Sequence, residues 1–306
     1  MTDLVVCFTP LQAVLIESLK KNNILGDFDV LYCAPRPTEQ YLHYFNRLKD
    51  ISKECVFYDV NKRFPSYIFS LKSVFKGRMY RNVFFANVDN IYIHFVLSFV
   101  SFEKIFTFDD GTANIIMSSS FYEDKLPLSK KLLYRLFGRK FNLNKIKSII
   151  DKHYTIYKGY SNLIKNTEYI SLDLPFADKI NSSTKKISNV NVFLGSVFND
   201  LTDEPYALVS RIEAFISGLD GDVYYIQHPR EFGLFFNNLK RLEGFEIAEE
   251  KIIKLLVNAE KINLYGFNSS AQINLKNMQG VNNFFLTCEL VNVDFRVDYD
   301  CSVIEI

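Results

Sequence analysis

Side chains that could transfer protons follow two apolar runs of this sequence. Asp109 and Asp110 come directly after the run at 105–108, and His228 with Pro229 ends the run at 222–229. A carboxylate can take a proton from a hydroxyl group, and a histidine can give one to a leaving phosphate. Together these groups indicate displacement at a sugar carbon that carries a nucleotide phosphate.

A pair of hydroxyl groups completes the set. Ser269 and Ser270 follow another apolar run and begin a helical pattern. A helix N-terminus offers free backbone N–H groups and a favourable dipole, so this position predicts a phosphate-binding site. Taken singly, each motif is also common for structural reasons, because Asp-Asp-Gly forms turns and serine caps helices. Their occurrence together at the ends of apolar runs favours a catalytic role over a structural one.

Apolar runs and helical patterns alternate along the chain, which predicts parallel sheets covered by helices on both faces. Strands are predicted at 4–8, 28–34, 54–60, 81–87, 104–110, 153–157, 168–173, 190–196, 222–229, 261–267 and 281–288. Helices are predicted at 11–23, 38–51, 66–79, 91–100, 204–219, 249–259 and 269–278, with a basic helical region at 125–152. The polar stretch at 174–190 lacks periodicity and indicates a linker. We therefore expect domains at 1–175 and 190–306, joined by a linker at 176–189.

Composition excludes several classes of protein. The chain has 36 basic and 35 acidic residues among 306, so it has no nucleic-acid signature. Its five cysteines are scattered and odd in number, which predicts reduced thiols and neither a disulfide framework nor a zinc site. The first apolar run is too short for a signal peptide or a membrane span, and we expect a cytoplasmic protein.

The segment 125–152 is strongly basic. It carries nine Lys or Arg residues against one acid, Asp151, and its leucines form an apolar stripe beside them. One interpretation is a solvated helix face packed on the domain. The other is peripheral contact with the inner membrane surface or with an anionic glycolipid, because basic residues are attracted to anionic lipid.

Three motifs carry a resemblance to a known family. The stretches FDDGTANI at 108–115, QHP at 227–229 and GFNSSA at 266–271 resemble the signatures of bacterial sialyltransferases. The TAN extension and the opening CFTPLQ at 7–12 are most similar to glycosyltransferase family 52, which includes lipooligosaccharide α-2,3-sialyltransferases; capsular sialyltransferases have related motifs. The resemblance extends from residue 4 to about residue 288.

The resemblance implies an α/β protein of the GT-B fold, with two Rossmann-like domains facing across a cleft. The N-terminal domain would bind the acceptor and the C-terminal domain CMP-sialic acid. Sialic acid would pass, with inversion and without a metal or cofactor, to a galactose-terminated lipooligosaccharide or capsule glycan. A homodimer is a further expectation, as the oligomeric state is open in so short a chain.

The resemblance also assigns roles to residues of this chain. The acidic pair supplies the general base, and we favour Asp109 over Asp110. His228, beside Pro229, assists departure of the CMP phosphate that Ser269 and Ser270 hold. The remaining candidates contribute to the substrate site or fix the acidic loop: Thr9, Gln12, Gly111, Asn114, Gly195 and Ser196.

Alternatives remain at this point. A phosphatase of the haloacid dehalogenase type would need an aspartate where this chain has Phe108. A non-catalytic nucleotide-sugar-binding protein would have no use for a proton donor. Another donor, such as a UDP-hexose, fits the same motifs.

Overall fold

The chain forms two compact units, 1–173 and 174–306. The computed structural model describes residues 1–180, 187–231, 233, 236, 239–291 and 302–306, with only the backbone of Ser188. The division falls after Asp173, two residues before the predicted end of the first domain. Cys301 and residues 181–186 of the predicted linker lie outside the described residues.

Unit 1 is a parallel sheet of seven strands covered by helices. Its strands are β1 (Asp3–Cys7), β2 (Phe28–Ala34), β3 (Cys55–Asp59), β4 (Asn82–Phe85), β5 (Lys104–Phe108), β6 (Ile150–Thr155) and β7 (Thr167–Tyr169). Its helices are α1 (Pro10–Lys21), α2 (Glu39–Ile51), α3 (Ser66–Phe75), α4 (Ile91–Phe99), α5 (Leu128–Leu136) and α6 (Leu143–Ile149). The strand order is β3-β2-β1-β4-β5-β6-β7, and every pairing is parallel.

Unit 2 contains a second parallel sheet. Its strands are β8 (Ile187–Leu194), β9 (Val223–Ile226), β10 (Lys240–Arg241), β11 (Ala259–Gly266), β12 (Val281–Thr287) and β13 (Ser302–Glu305). Its helices are α7 (Phe198–Leu201), α8 (Pro205–Ser217), α9 (Ala248–Asn258) and α10 (Ser270–Asn274), after a 3₁₀ turn at Ala177–Lys179. The strand order is β10-β9-β8-β11-β12-β13, again all parallel.

The two units share one topology, in which the first strand lies inside the sheet and the chain crosses over it. The strand order reverses between the paired neighbours β1 and β4 in unit 1 and between β8 and β11 in unit 2. Such a switch point leaves a crevice at the carboxyl ends of the strands, where ligands of open α/β sheets bind. All five residues of β1 are buried, as expected for a strand covered on both faces.

The structure departs from the predicted elements at several places. Region 125–152 is not one helix, since α5 ends where Gly138 adopts φ +94° and α6 leads into β6. Residues 187–189 of the predicted linker belong to β8, where Ile187 pairs with Ala259. Helix α10 ends at Asn274, four residues early. The sheet continues through β13, which pairs with β12 and was not predicted.

Candidate active site

Asp109 lies at the end of β5 with its side chain fully buried. Its Oδ2 accepts the backbone N–H of Ile156 at 2.7 Å, and its Oδ1 lies 3.0 Å from His153 Nε2. Thr107 pairs with His153 across β5 and β6, and its hydroxyl is 2.8 Å from His153 Nδ1. The side chain of Asp109 is fully buried and both of its carboxylate oxygens are directed into the protein, so this geometry does not favour the predicted role of Asp109 as the base.

Asp110 takes the opposite direction and is only partly buried. Its Oδ1 accepts a hydrogen bond from Gln12 Nε2 at 2.7 Å, and its Oδ2 accepts one from Asn87 Nδ2. Gln12 also donates to Asn87 Oδ1 at 2.8 Å, so the three side chains form a closed triangle. The triangle joins the carboxyl ends of β1, β4 and β5, next to the switch point of unit 1.

The environment of Asp110 suits a general base. Burial raises the pKa of its carboxyl group above the ordinary value, and the nearby Asp89 adds to this. The hydrogen bonds from Gln12 and Asn87 act against the rise and hold the carboxylate in one orientation. A base is most effective when its pKa approaches the working pH, so a raised carboxyl pKa favours proton abstraction.

Gln12, which was predicted to line the substrate site, and Asn114, which was predicted to help fix the acidic loop, both position Asp110. Gln12 is fully buried, its amide hydrogens are committed to Asn87 and Asp110, and its Oε1 accepts the Phe8 N–H at 2.7 Å. Asn114 is equally buried, and its Oδ1 accepts the Asp110 N–H at 3.1 Å.

Two further predicted residues of unit 1 also serve the backbone. Gly111 turns the loop after the acidic pair with φ +53°, a conformation that suits glycine. Thr9 caps α1 by accepting the Gln12 N–H at 3.2 Å. Gly111 therefore supports the loop that follows Asp110, and Thr9 supports the start of the helix that carries Gln12.

In unit 2, His228 follows β9 and is partly buried. Its Nδ1 accepts the backbone N–H of Arg230 at 3.1 Å, which in the neutral ring leaves the proton on Nε2. Within the described part of the chain, no hydrogen bond engages Nε2. Burial lowers the pKa of His228, and the positive charge of Arg230 contributes. The neutral ring thus offers an N–H donor. Pro229 is exposed beside it.

Gly195 has a structural role where a substrate contact was predicted. Its N–H donates to the Ile226 carbonyl at 2.8 Å, and a Cβ atom there would overlap Glu231 and lie 2.7 Å from the Tyr225 hydroxyl. Glu231 accepts from the Tyr225 hydroxyl and from the His228 N–H. Gly195 thus leaves room for the carboxylate that fixes the His228 loop. Ser196 is partly exposed beside it, and its substrate contact stays a prediction.

Ser269 and Ser270 follow β11, on the other side of the switch point of unit 2. Ser269 forms a capping box with Gln272, and its Oγ accepts the Ala271 N–H at 3.3 Å. Helix α10 has only five residues, and the Gln272 N–H donates to the Ser269 carbonyl. Fewer free N–H groups therefore remain than the sequence suggested, and phosphate binding at Ser269 and Ser270 stays a prediction.

Sequence reasoning missed His153 and Asn87, which contact the acidic pair in unit 1, and Glu231, which contacts the His228 loop in unit 2. His153 opened a predicted strand at 153–157, and only the parallel pairing of β5 with β6 brings it to Asp109. Asn87 is the last residue of the predicted strand 81–87, so its place at a strand end was a usable signal. Glu231 lies three residues after His228 and gave no such signal.

Comparison with known proteins places the chain in a family. The model for glycosyltransferase family 52 matches residues 27–290. A CMP-N-acetylneuraminate:beta-galactoside alpha-2,3-sialyltransferase of Pasteurella multocida is 30% identical over 282 residues, which cover 90% of this chain and 87% of that protein. An N-acetyllactosaminide alpha-2,3-sialyltransferase of Haemophilus influenzae is 28% identical over 304 residues, covering 97% and 95%.

Solved structures establish the fold. The UDP-GlcNAc 2-epimerase of Neisseria meningitidis superimposes with a TM-score of 0.53 at 12% identity, covering 93% of this chain and 82% of that one. The Methanocaldococcus jannaschii enzyme gives 0.52 at 15% identity, covering 93% and 83%. The predicted GT-B fold is therefore confirmed.

Proposed function

Since the chain belongs to glycosyltransferase family 52, we propose that it is an inverting sialyltransferase that uses CMP-sialic acid as donor. The acceptor would be a galactose-terminated glycan. The observation that carries this proposal is the Asp110 carboxylate, held by Gln12 and Asn87 at the switch point with a raised pKa. The named activities of the sialyltransferase relatives support the choice of donor and acceptor.

In this reaction Asp110 accepts the proton of a galactose hydroxyl group. The hydroxyl oxygen forms a bond to the anomeric carbon of sialic acid while the bond from that carbon to the CMP phosphate oxygen breaks. The electron pair of the broken bond leaves with CMP, and the proton remains on Asp110. His228 donates its Nε2–H to the departing phosphate, which stabilises the developing charge.

CMP would bind mainly to unit 2, with its phosphate at Ser269 and Ser270. Two hydroxyl groups and the Ser270 N–H support this placement. Replacing both serines by alanine should weaken CMP binding in calorimetry by about tenfold or more, since hydrogen bonds to charged groups contribute about 1.5–3 kcal/mol. The Ser270→Ala variant should account for most of the loss, because Ser269 Oγ already caps α10. Unchanged affinity in the double variant would contradict the assignment.

Transfer should need no divalent metal. The amide hydrogen bonds to Asp110 orient its carboxylate as a base, and His228 would stabilise the leaving phosphate in place of a cation. Activity should therefore survive EDTA. Loss of activity in EDTA with recovery in manganese would mean that the acidic pair binds a metal ion and does not supply the base.

The physiological acceptor would be lipooligosaccharide or capsule glycan at the inner face of the membrane. No helix among the described residues is long and apolar enough to span a bilayer. Peripheral contact through the basic segment would suit a glycolipid acceptor. Reversing the charge at Lys130, Lys131, Arg135 and Arg139 should lower activity on glycolipid and spare a soluble lactoside. Equal losses on both would indicate a folding defect. The expected homodimer stays a prediction, which light scattering tests.

The decisive experiment offers the enzyme a panel of CMP- and UDP-sugars with a lactose acceptor. We expect product from CMP-sialic acid, with a proton or carbon NMR spectrum that reports the inverted anomeric configuration. Product from a UDP-hexose alone would support the second candidate, a family member with another donor. Binding of CMP without any transfer would support a non-catalytic protein.

A further inference from the structure

Helix α5 presents its apolar side to solvent. None of its residues is buried, and Leu128, Leu132 and Leu136 are exposed by 82%, 65% and 81%. Residues spaced by four lie on one face of a helix, so these leucines form a continuous apolar stripe. The helix would gain free energy by moving this stripe out of water.

A pocket of about 760 Å³ lies along the same helix. It is lined by Lys131, Arg135, Arg139 and Lys140, with Leu128, Leu132 and Phe141 as its main apolar wall. Among the lining residues that the structure describes, none is a carboxylate. The pocket therefore combines positive charge with an apolar rim. An anionic lipid is complementary to it, because the lipid headgroup is negatively charged and the acyl chains are apolar.

Arg139 is the unusual member of this set. The chain turns at Gly138, and the Arg139 N–H donates back to the Tyr134 carbonyl at 3.0 Å, which folds Arg139 under the end of α5. Its guanidinium carbon lies 5.4 Å from the Tyr134 ring centroid. Arg139 is only 9% exposed, and its buried Nη1 has no hydrogen-bond partner among the described residues.

A buried guanidinium N–H group without an acceptor, such as that at Nη1 of Arg139, is costly, which favours an anion near this side chain. The carboxylate of Asp124 interacts electrostatically with Arg139, but it already forms an ion pair with Lys131 at 3.1 Å. Burial lowers the pKa of Arg139, because the charged guanidinium loses its hydration. A phosphate group is suited to this position, because the guanidinium fork binds its oxygens bidentately.

We infer that the α5 pocket binds the phosphate headgroup of an anionic phospholipid, with Arg139 as its central ligand and the leucine stripe against the acyl region. This inference rests on the membrane contact in the proposed function and assigns it to one site. A free phosphate would use the same cations but would leave the exposed leucines without a role. A second copy of the chain would cover the leucines but would gain nothing from the four cations.

The test measures binding of the full-length chain to vesicles of phosphatidylcholine with phosphatidylglycerol. Comparison vesicles carry the same surface charge on a carboxylate lipid, and a third arm uses inorganic phosphate alone. The pocket variants are Arg139→Gln, Arg139→Lys and Arg135→Gln. Lys130→Gln is the matched control, since Lys130 is exposed on the same helix and does not line this pocket.

We expect a preference for phosphatidylglycerol over the carboxylate lipid that persists in high salt. The control should lose about fivefold in affinity, the general effect of one basic residue near an anionic surface. Arg139→Gln should lose more than tenfold together with the lipid preference, and Arg139→Lys should fall between. If Arg139→Gln proves unstable in thermal denaturation, Arg135→Gln carries the comparison.

Four results would overturn the inference. Equal losses in Arg139→Gln and Lys130→Gln, or equal binding to both anionic lipids, would mean general electrostatic attraction. Binding of inorganic phosphate without vesicle binding would mean a soluble ligand. A dimer that dissociates when the three leucines become serine, with vesicle binding unaltered, would mean a second copy. Turnover of a soluble lactoside by the wild-type protein, measured without vesicles, tests the proposed transferase activity separately from lipid binding.

Discussion

The substitution Asp110→Asn should remove the general base and keep the shape of the site. General base catalysis contributes roughly 10²–10⁴-fold, so kcat should fall by about that factor. CMP affinity should stay nearly unchanged, because its proposed ligands belong to unit 2. The neighbouring change Asp109→Asn is the matched control, since it removes one charge from the same acidic pair.

The hydrogen bonds explain why the two variants should differ in stability as well. In Asp110→Asn one amide N–H₂ must face a donor, because Gln12 and Asn87 both donate to the wild-type carboxylate. Asn87 cannot simply turn around, since its Oδ1 already accepts from Gln12. We expect a cost of about 1–3 kcal/mol in the free energy of unfolding from this mismatch.

The Asp109→Asn variant can remake its hydrogen bonds, whereas Asp110→Asn cannot. Its remaining oxygen can still accept the Ile156 N–H, and its N–H₂ can donate to His153 Nε2 if the ring moves its proton to Nδ1. The Thr107 hydroxyl can then accept from Nδ1. Turnover should therefore stay within about tenfold of wild type, because no catalytic group is lost.

Single-turnover kinetics with CMP-sialic acid and lactoside would measure both variants, with calorimetry for CMP and thermal denaturation for stability. Nitrogen NMR of the His153 ring would report the expected tautomer change. A loss of 10²-fold or more in Asp109→Asn with near-normal turnover in Asp110→Asn would refute the assignment of the base. Near-normal turnover in both would mean that the acidic pair is only a turn.

The Gly195→Ala variant should lose about 1–3 kcal/mol in the free energy of unfolding, because its Cβ overlaps Glu231; Gly218→Ala, whose Cβ meets nothing closer than 3.4 Å, should stay near wild type in the same thermal denaturation. The acid limb of kcat/KM should lie above the ordinary carboxyl value of about 3.9, because the active Asp110 is deprotonated and its pKa is raised. In Gln12→Met that limb should move to still higher pH, because a hydrogen bond that lowers the Asp110 pKa is lost; a limb that stays in place would separate Asp110 from the observed titration.

Much of the fold follows from local patterns of this sequence. The buried parallel strands read as apolar runs, and strands β1, β2 and β5 lie within one or two residues of their predicted ends. Strands β10 and β13 gave no such signal. Strand β10 consists of two charged residues and β13 ends in an acid, so neither forms an apolar run, and only pairing with β9 and β12 defines them.

The sequence by itself determined which chemical groups the site would contain, because acids, histidine and hydroxyls stand directly after apolar runs. It could not decide between Asp109 and Asp110, since adjacent residues of a strand point to opposite faces and either face could be the open one. Only the tertiary structure decides this, through contacts that are distant in the chain. His153 and Ile156 hold Asp109 inward, whereas Gln12 and Asn87, brought beside β5 by the strand order, hold Asp110 at the sheet edge.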